Sequence, residues 1–489
     1  MKLQPIQIAV FLGLTALIAL VTYLYCRGKR SSNDEGQEYF LAGKDLKWYF
    51  VAGSITLTNL STDQLVGMNG NQMGLLVWWE LAAVAGLLML TFLFIPVYYR
   101  YNCTTTTELL EKRYNNLHIR ALISVLFLAG NIFILLPGVL YGGSLFMQQM
   151  FGLEFLNIYY IAIAFALVGS AYAIFGGLRA VAVSDTFSGI LLLSLALFVL
   201  WRALVAIDFD FSGIPAERLS LIGGYDSPIP FPTLFTGMIF IQMFYWSTNQ
   251  TITQRAMASP TVKEAQKGIL AAAAIRLLIV PPIIVLPGII SYKLYGEVGN
   301  NKAFGMIVSE LLPVALTGAF AAAMAAAVLT TFNSILNASA ALWVCDVHQT
   351  YISKKPNVRR VSLIVSVVMV LLAFFMFPVF LNAKNLINLM QELYGFLSMP
   401  ILSAFIVGLL FKNVDARAVI ISVVLGVLLY AFFTRVWPML PGGNYIHMMA
   451  ITLLFSVLTA LVMNKVIYKK KSEWDAHNVF GRNASKVTL

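Results

Sequence analysis

Apolar runs long enough to cross a bilayer recur from one end of this chain to the other, and they leave little room for anything else. A transmembrane helix needs about 20 mostly apolar residues to span a hydrocarbon core of about 30 Å. Thirteen such segments can be laid out, at 5–26, 47–70, 74–99, 118–149, 154–176, 180–206, 231–254, 268–294, 311–349, 361–381, 384–411, 415–435 and 443–467. In lipid the backbone polar groups must be satisfied within the protein, so apolar runs of this length imply helices. Hydrophobic residues make up 59% of the 489 and charged residues 11%, a balance foreign to soluble domains. The expected class is an all-α integral membrane protein.

The first segment ends in Arg27-Gly28-Lys29-Arg30 rather than at a small-residue cleavage site, so it is expected to be retained as a helix. Basic residues cluster on alternate connections: Arg27 to Lys47, Arg100 to Arg120, Arg179, Arg255 to Lys267, Lys354 to Arg360, Lys412 with Arg417, and Lys465 to Lys471. The intervening connections hold isolated cations, and one carries Asp208, Asp210, Glu217 and Asp226. The positive-inside rule then places the N-terminus outside and the C-terminus in the cytoplasm. It also accounts for the net charge of +11 as a topology signal, with no nucleic acid required. Cys26, Cys103 and Cys345 form neither a disulfide framework nor a metal-ligand spacing. The sequon Asn483-Ala484-Ser485 falls on the expected cytoplasmic tail. Short loops and compact length favour a bacterial inner membrane.

Two segments carry polar residues across their middles. One contains SITLTNLSTDQLVG at 54–67; the other contains Gln242, Tyr245, Trp246, Ser247, Thr248, Asn249 and Gln250. Each opens a run of five segments, and an odd number of crossings inverts the second run relative to the first. Inverted five-helix repeats with discontinuous first helices are a secondary-transporter architecture. The organisation expected is an extra N-terminal helix and loop at 1–46, a first repeat at 47–206, an external loop at 207–230, a second repeat at 231–411, two additional helices at 412–467 and a tail at 468–489.

A helix break at 54–67 would free backbone carbonyls, which are hard oxygen ligands suited to a small cation such as sodium. The competing reading is interhelical hydrogen bonding by Ser and Thr. Thr330 and Thr331 place two adjacent hydroxyls on another membrane segment. They are informative only beside a facing set of carbonyls, because a Thr hydroxyl can also bond its own preceding turn.

The stretches Glu38-Tyr39-Phe40-Leu41-Ala42-Gly43-Lys44, Asn59-Leu60-Ser61-Thr62-Asp63-Gln64-Leu65-Val66-Gly67, Gly176-Gly177-Leu178-Arg179-Ala180-Val181 with Asp185, Tyr245-Trp246-Ser247-Thr248-Asn249-Gln250 with Gln254-Arg255, and Glu264-Ala265-Gln266-Lys267-Gly268 together resemble the sodium:solute symporter family, in its bacterial sodium/glucose (galactose) cotransporter branch. The resemblance runs from about residue 36 to 412 and implies a LeuT-type five-plus-five inverted repeat with about 13 transmembrane helices. Residue by residue, it implies a sodium site from the backbone carbonyls of Leu57, Leu60 and Ala327 and the hydroxyls of Thr330 and Thr331. It implies sugar contacts from Gln64, Glu80, Gln242, Arg276 and Gln391, with Tyr245 as an aromatic inner gate and Trp246 beside it. Asp185 matches a position linked to a second cation path; a helix N-cap is the alternative.

That list suits a polyol on its own chemistry, because a sugar hydroxyl both donates and accepts, and carboxylate, amide and guanidinium groups supply both roles. An aromatic ring such as Tyr245 can cover the apolar face of a pyranose. The bland readings are a structural ion pair for Glu80 and Arg276 and packing for Tyr245 and Trp246. Arg276 and Gln242 depart from the Lys and Asn of the sugar transporters, which leaves room for an acidic sugar. The function expected is sodium-coupled import of a hexose such as galactose or glucose. The alternatives are a sodium symporter for an anionic solute such as sialic acid, and a sugar sensor or channel. No catalytic triad, phosphate loop, metal motif, organic cofactor or obligatory protein partner is expected; the partners are sodium, a small sugar and the lipid bilayer.

Overall fold

The computed structural model describes residues 4–29, 32–299, 301–437 and 444–480; the sequon at Asn483 lies outside them. Helix α1 is Pro5–Cys26, followed by α2 (Trp48–Asn59) and the short α3 (Thr62–Leu65). Next come α4 (Gly74–Arg100), α5 (Leu117–Phe151) and α6 (Ile158–Ala206). The second half holds α7 (Gly237–Ser247), α8 (Gln250–Met257), α9 (Val262–Tyr295) and α10 (Val314–Tyr351). Helices α11 (Val358–Leu381), α12 (Leu386–Leu410), α13 (Ala416–Val436) and α14 (Tyr445–Val466) complete the order. Among the described residues, ten helices are long and apolar enough to cross a membrane. The other three expected segments correspond to α2 with α3, to the shorter apolar helix Ile158–Ser170, and to α7 with α8.

Local chemistry explains the interruptions. Gly177 sits at φ 55°, ψ −170° inside α6, a conformation that only glycine adopts without steric cost, and it separates the segments expected at 154–176 and 180–206. Between α2 and α3, Leu60 has ψ 70° and Ser61 is extended. Short polar side chains such as Asn59, Ser61 and Thr62 compete for backbone hydrogen bonds and weaken the helix there. Between α7 and α8, Asn249 is extended and its Oδ1 accepts from the Thr251 amide at 2.9 Å, an N-cap that starts the new helix.

Lipid tails are as apolar as the helix surfaces, so close packing and interhelical hydrogen bonds hold the bundle together. The small-residue stretch of α10 serves this: a Cβ at Gly318 would stand 2.4 Å from the Gln7 carbonyl, so glycine lets α1 lie directly on α10. Helix α6 runs against α10 as well, and α2 packs against α6, α9 and α10. Arg179 ties the loop before α2 to α6, donating to the Ala42 carbonyl at 2.6 Å and pairing with Glu38 at 3.2 Å. Gln254 donates to the Phe40 carbonyl at 2.6 Å from α8. Helices α12, α13 and α14 pack together, with Phe411 paired antiparallel to Trp474 beside them.

Candidate functional site

The last carbonyls of a helix have no partner within it. At the end of α2 the Thr56 carbonyl keeps the Leu60 amide at 3.1 Å, and groups from other helices reach the carbonyls there as well. Arg276 Nη1 of α9 donates to the Thr56 carbonyl at 3.0 Å, and the Thr331 hydroxyl of α10 donates to the Thr58 carbonyl at 3.3 Å. Thr330 donates to the Ala327 carbonyl at 3.2 Å. The structure thus brings the Thr331 hydroxyl against the broken end of α2, where Leu57 lies in the last turn and Leu60 is the break itself, while the Thr330 hydroxyl bonds its own preceding turn. All five residues are buried. This donor set is all oxygen, the chemistry a small hard cation takes.

Asp185 stands beside the same end. It is fully buried within α6, eight residues beyond the Gly177 bend, so the N-cap alternative does not hold. Its Oδ2 accepts from the Ser54 hydroxyl at 2.5 Å and the Thr58 hydroxyl at 3.4 Å, and Arg255 Nη2 lies 3.9 Å away. Arg255 is itself held by Ser54, Thr251 and Ser334. Thr58 therefore offers its carbonyl to Thr331 and its hydroxyl to Asp185, one residue touching both halves of the arrangement.

On the other side of the break a cavity opens, lined by Asn59, Asp63, Gln64, Met68 and Trp79, by Leu135, Ile241, Gln242, Tyr245 and Trp246, and by Ile387, Met390, Gln391 and Tyr394. Five of the seven expected sugar-contact residues are on this wall. Glu80 and Arg276 are not; both are fully buried behind Gln64 and form an ion pair of 2.6 Å. Gln64 is clipped to that pair through both ends of its amide, donating to Glu80 Oε2 at 2.7 Å and accepting from Arg276 Nη2 at 3.1 Å. The Arg276 guanidinium also lies 4.7 Å over the Trp246 ring, a further cation–π contact. Arg276 therefore touches the cavity wall through Gln64 and Trp246 and does not line the cavity itself.

The remaining wall is similarly ordered. Gln242 donates to the Trp79 carbonyl at 3.0 Å and accepts from Trp246 Nε1 at 2.8 Å. The Tyr245 hydroxyl donates to Asn59 Oδ1 at 2.5 Å, and its ring packs edge-on to Trp246 and Tyr394. Asn59, Asp63 and Tyr394 are lining residues that the sequence reading left without a role. Asn59 and Asp63 belonged to the polar run already singled out, and Tyr394 lies three residues after Gln391, on the same helix face.

A helix broken between an all-oxygen cation pocket and a polar, aromatic cavity matches one group of proteins along nearly its whole length. The sodium:solute symporter family model matches residues 39–426. The chain belongs to that family. This symporter is 33% identical over 488 residues to the uncharacterized symporter YidK of Escherichia coli, covering 94% of this chain and 84% of that one. It is 29% identical over 497 residues to the sodium/glucose cotransporter of Vibrio parahaemolyticus, covering 93% and 89%. Its fold is similar to that of a Na+-coupled sialic acid symporter solved in a substrate-bound outward-open state. The TM-score there is 0.81 at 16% identity, over 95% of this chain and 98% of that one. The solved neighbours share its fold; membership of the family, with its apolar helices, makes the symporter a multi-pass membrane transporter and not an enzyme.

Proposed function

We propose that this symporter imports a neutral sugar, a hexose such as galactose or glucose, across a bacterial inner membrane by sodium-coupled alternating access. The observation that carries the reading is the break between α2 and α3. Its carbonyl end meets Thr331 on one side, and four residues later Gln64 faces the cavity on the other. A ligand shifts a conformational equilibrium only as far as it prefers one state, and two ligands are coupled when both bias the same element. Sodium held by the carbonyls of Leu57, Leu60 and Ala327 and the hydroxyls of Thr330 and Thr331 would order this element, and sugar against Gln64, Gln242, Gln391 and Tyr245 would use it. Asp185, beside Thr58, is the proposed second cation position.

Residues 47–206 and 231–411 are the proposed inverted repeats, with the N-terminus outside and the C-terminus in the cytoplasm. One sodium ion crossing ~100 mV contributes ~2.3 kcal/mol. A ~tenfold gradient adds ~1.4 kcal/mol, enough for about 500-fold accumulation at one-to-one coupling. The relative named a sodium/glucose cotransporter supports the sugar. The anionic-solute alternative needs a free Arg276, whereas Glu80 neutralises it and no Lys, Arg or His is among the cavity-lining residues.

The test is uptake of labelled neutral sugars and sugar acids into proteoliposomes with and without an inward sodium gradient. Accumulation of a neutral sugar only with the gradient is expected. Sodium-independent equilibration would make the protein a channel, and accumulation of sugar acids alone would restore the anionic reading.

A further inference from the structure

A second cleft, of about 390 Å³, opens away from the solute cavity, between the end of α1, the start of α2 and the bend of α6. Its walls include Tyr25, Lys29, Asp45, Lys47, Tyr49 and Arg179. It is open to its surroundings, because Lys29, Asp45, Lys47 and Tyr49 are all exposed. Its depth in the bilayer follows from α1. That helix has 22 residues, which at about 1.5 Å each span about 33 Å, roughly one hydrocarbon core. Tyr25 and Lys29, at its end and just beyond, therefore stand at headgroup level, where amphipathic and cationic side chains settle. Exposed Leu17, Leu20 and Leu24 continue from it along α1 as surface for acyl chains.

The charges on these walls are unbalanced. Arg179 is spent on the Ala42 carbonyl, on Glu38 and on Asp45, the last at 3.4 Å. Lys29 and Lys47 form no ion pair among the described residues. The Lys29 ammonium lies 3.4 Å over the Tyr25 ring, a cation–π contact that holds it at the cleft. Glu264 already meets the first amide of α2, at Trp48, at 3.3 Å, so the lysines and not the helix terminus are what the cleft offers an anion.

We infer that this cleft binds the phosphate of an anionic phospholipid, with Lys29 and Lys47 as its cationic donors. Lysine binds phosphate as a point charge, and basic pockets between transmembrane helices take anionic headgroups. Tyr25 and Phe50, edge-on at 5.1 Å, supply apolar surface beside the phosphate. Lys47 is the N-cap residue of α2, so the headgroup ties α1 to the helix whose other end is the break at Leu60. A ligand that binds the folded state stabilises it by mass action.

The experiment follows the Tm of the full-length protein in a non-ionic detergent as phosphatidylglycerol, phosphatidylcholine or inorganic phosphate is added at matched concentration. Phosphatidylglycerol should raise Tm saturably, and the other two should leave it at the detergent value. Lys29→Gln and Lys47→Gln should each raise the phosphatidylglycerol concentration for half the shift about fivefold, and together about twentyfold. Their Tm without lipid should stay at the wild-type value, because both lysines are exposed and neither is paired. Lys354→Gln with Lys355→Gln, which removes the same charge from another connection, should leave the response intact.

An equal shift with phosphatidylcholine would show that no anion is selected, and an equal shift with inorganic phosphate would make the ligand a free ion; either overturns the lipid site. A wild-type response in the protein lacking both Lys29 and Lys47 would place the lipid elsewhere. An equal loss in the Lys354→Gln, Lys355→Gln protein would reduce the effect to net charge. Should the double glutamine variant not fold, Lys29→Arg with Lys47→Arg, which keeps both charges, is expected to respond as wild type does, and loss of the response there would mean that charge does not hold the ligand.

Discussion

At Thr248 and Asn249 the chain caps its own new helix, while the last carbonyl of α7, Ser247, is met by the Tyr98 hydroxyl of α4 at 2.8 Å. Asn249 caps α8, Thr248 donates to the Phe244 carbonyl at 2.7 Å, and Thr253 returns to the Asn249 carbonyl at 2.9 Å. At Leu60 and Ser61 nothing comparable happens: no side chain caps α3, and the hydroxyls of Ser61 and Thr62 are buried without partners. The carbonyls at the end of α2 are met by Arg276 and Thr331, from α9 and α10. Where the new helix is capped by its own segment, the local sequence sets how the chain restarts. Where it is uncapped and its hydroxyls are unpartnered, those groups are open to a ligand, so the first break is where cation and solute are expected to act.

The largest effect that would sharpen this contrast comes from Arg276→Ala, which removes a donor to the first break and leaves Glu80 buried and unpaired. A loss of about 3–5 kcal/mol in stability is expected, read as lowered resistance to denaturant in detergent. Arg276→Lys should keep the fold and weaken solute binding only partly; complete loss of transport would show that the guanidinium itself holds the solute. Thr331→Ala should raise the sodium concentration for half-maximal uptake by about tenfold or more, on the scale of ~1.4 kcal/mol per tenfold. Unchanged sodium dependence would remove Thr331 from the cation site.

A smaller and more selective change is expected from Gln64→Ala. Sugar half-saturation should rise several-fold while sodium-only binding is spared, because its amide stands between the cavity and the ion pair; a truncated hydrogen-bonding group of this kind is worth about 0.5–1.5 kcal/mol. Loss of both sodium and sugar binding would point to misfolding. The smallest effect belongs to the break that its own segment caps. Asn249→Ala should cost about 1 kcal/mol of stability as a lost cap and leave the sodium requirement alone. A shifted sodium dependence in that variant would erase the distinction between the two breaks.

Much of the architecture was readable in the residues, because hydropathy and helix-breaking chemistry are local properties. The apolar segments and the two interruptions at 54–67 and 242–250 follow from side chains acting on their own backbone. The residues of the proposed cation set were also legible, through the resemblance of the Leu57–Leu60 and Thr330–Thr331 stretches to a known family. The second of these lies more than 260 residues from the first, as the 273-residue separation of Thr331 from Thr58 shows. Spacing alone gave no reason to bring them together.

Tertiary structure decided which polar side chain lines the cavity and which is paired behind it. Glu80 and Arg276 were expected at the sugar, yet they pair across 196 residues and withdraw behind Gln64. Asp185, read as a possible cap, is enclosed by Ser54, Thr58 and Arg255 from other helices. Asp63 was one polar residue among many in its run, and only the surrounding helices bring it to the cavity wall. The physical reason is that a charge in a membrane protein must be neutralised or hydrogen-bonded somewhere. The sequence by itself determined that such groups are present at membrane depth; the packing of distant helices decided which pair with one another and which line the cavity.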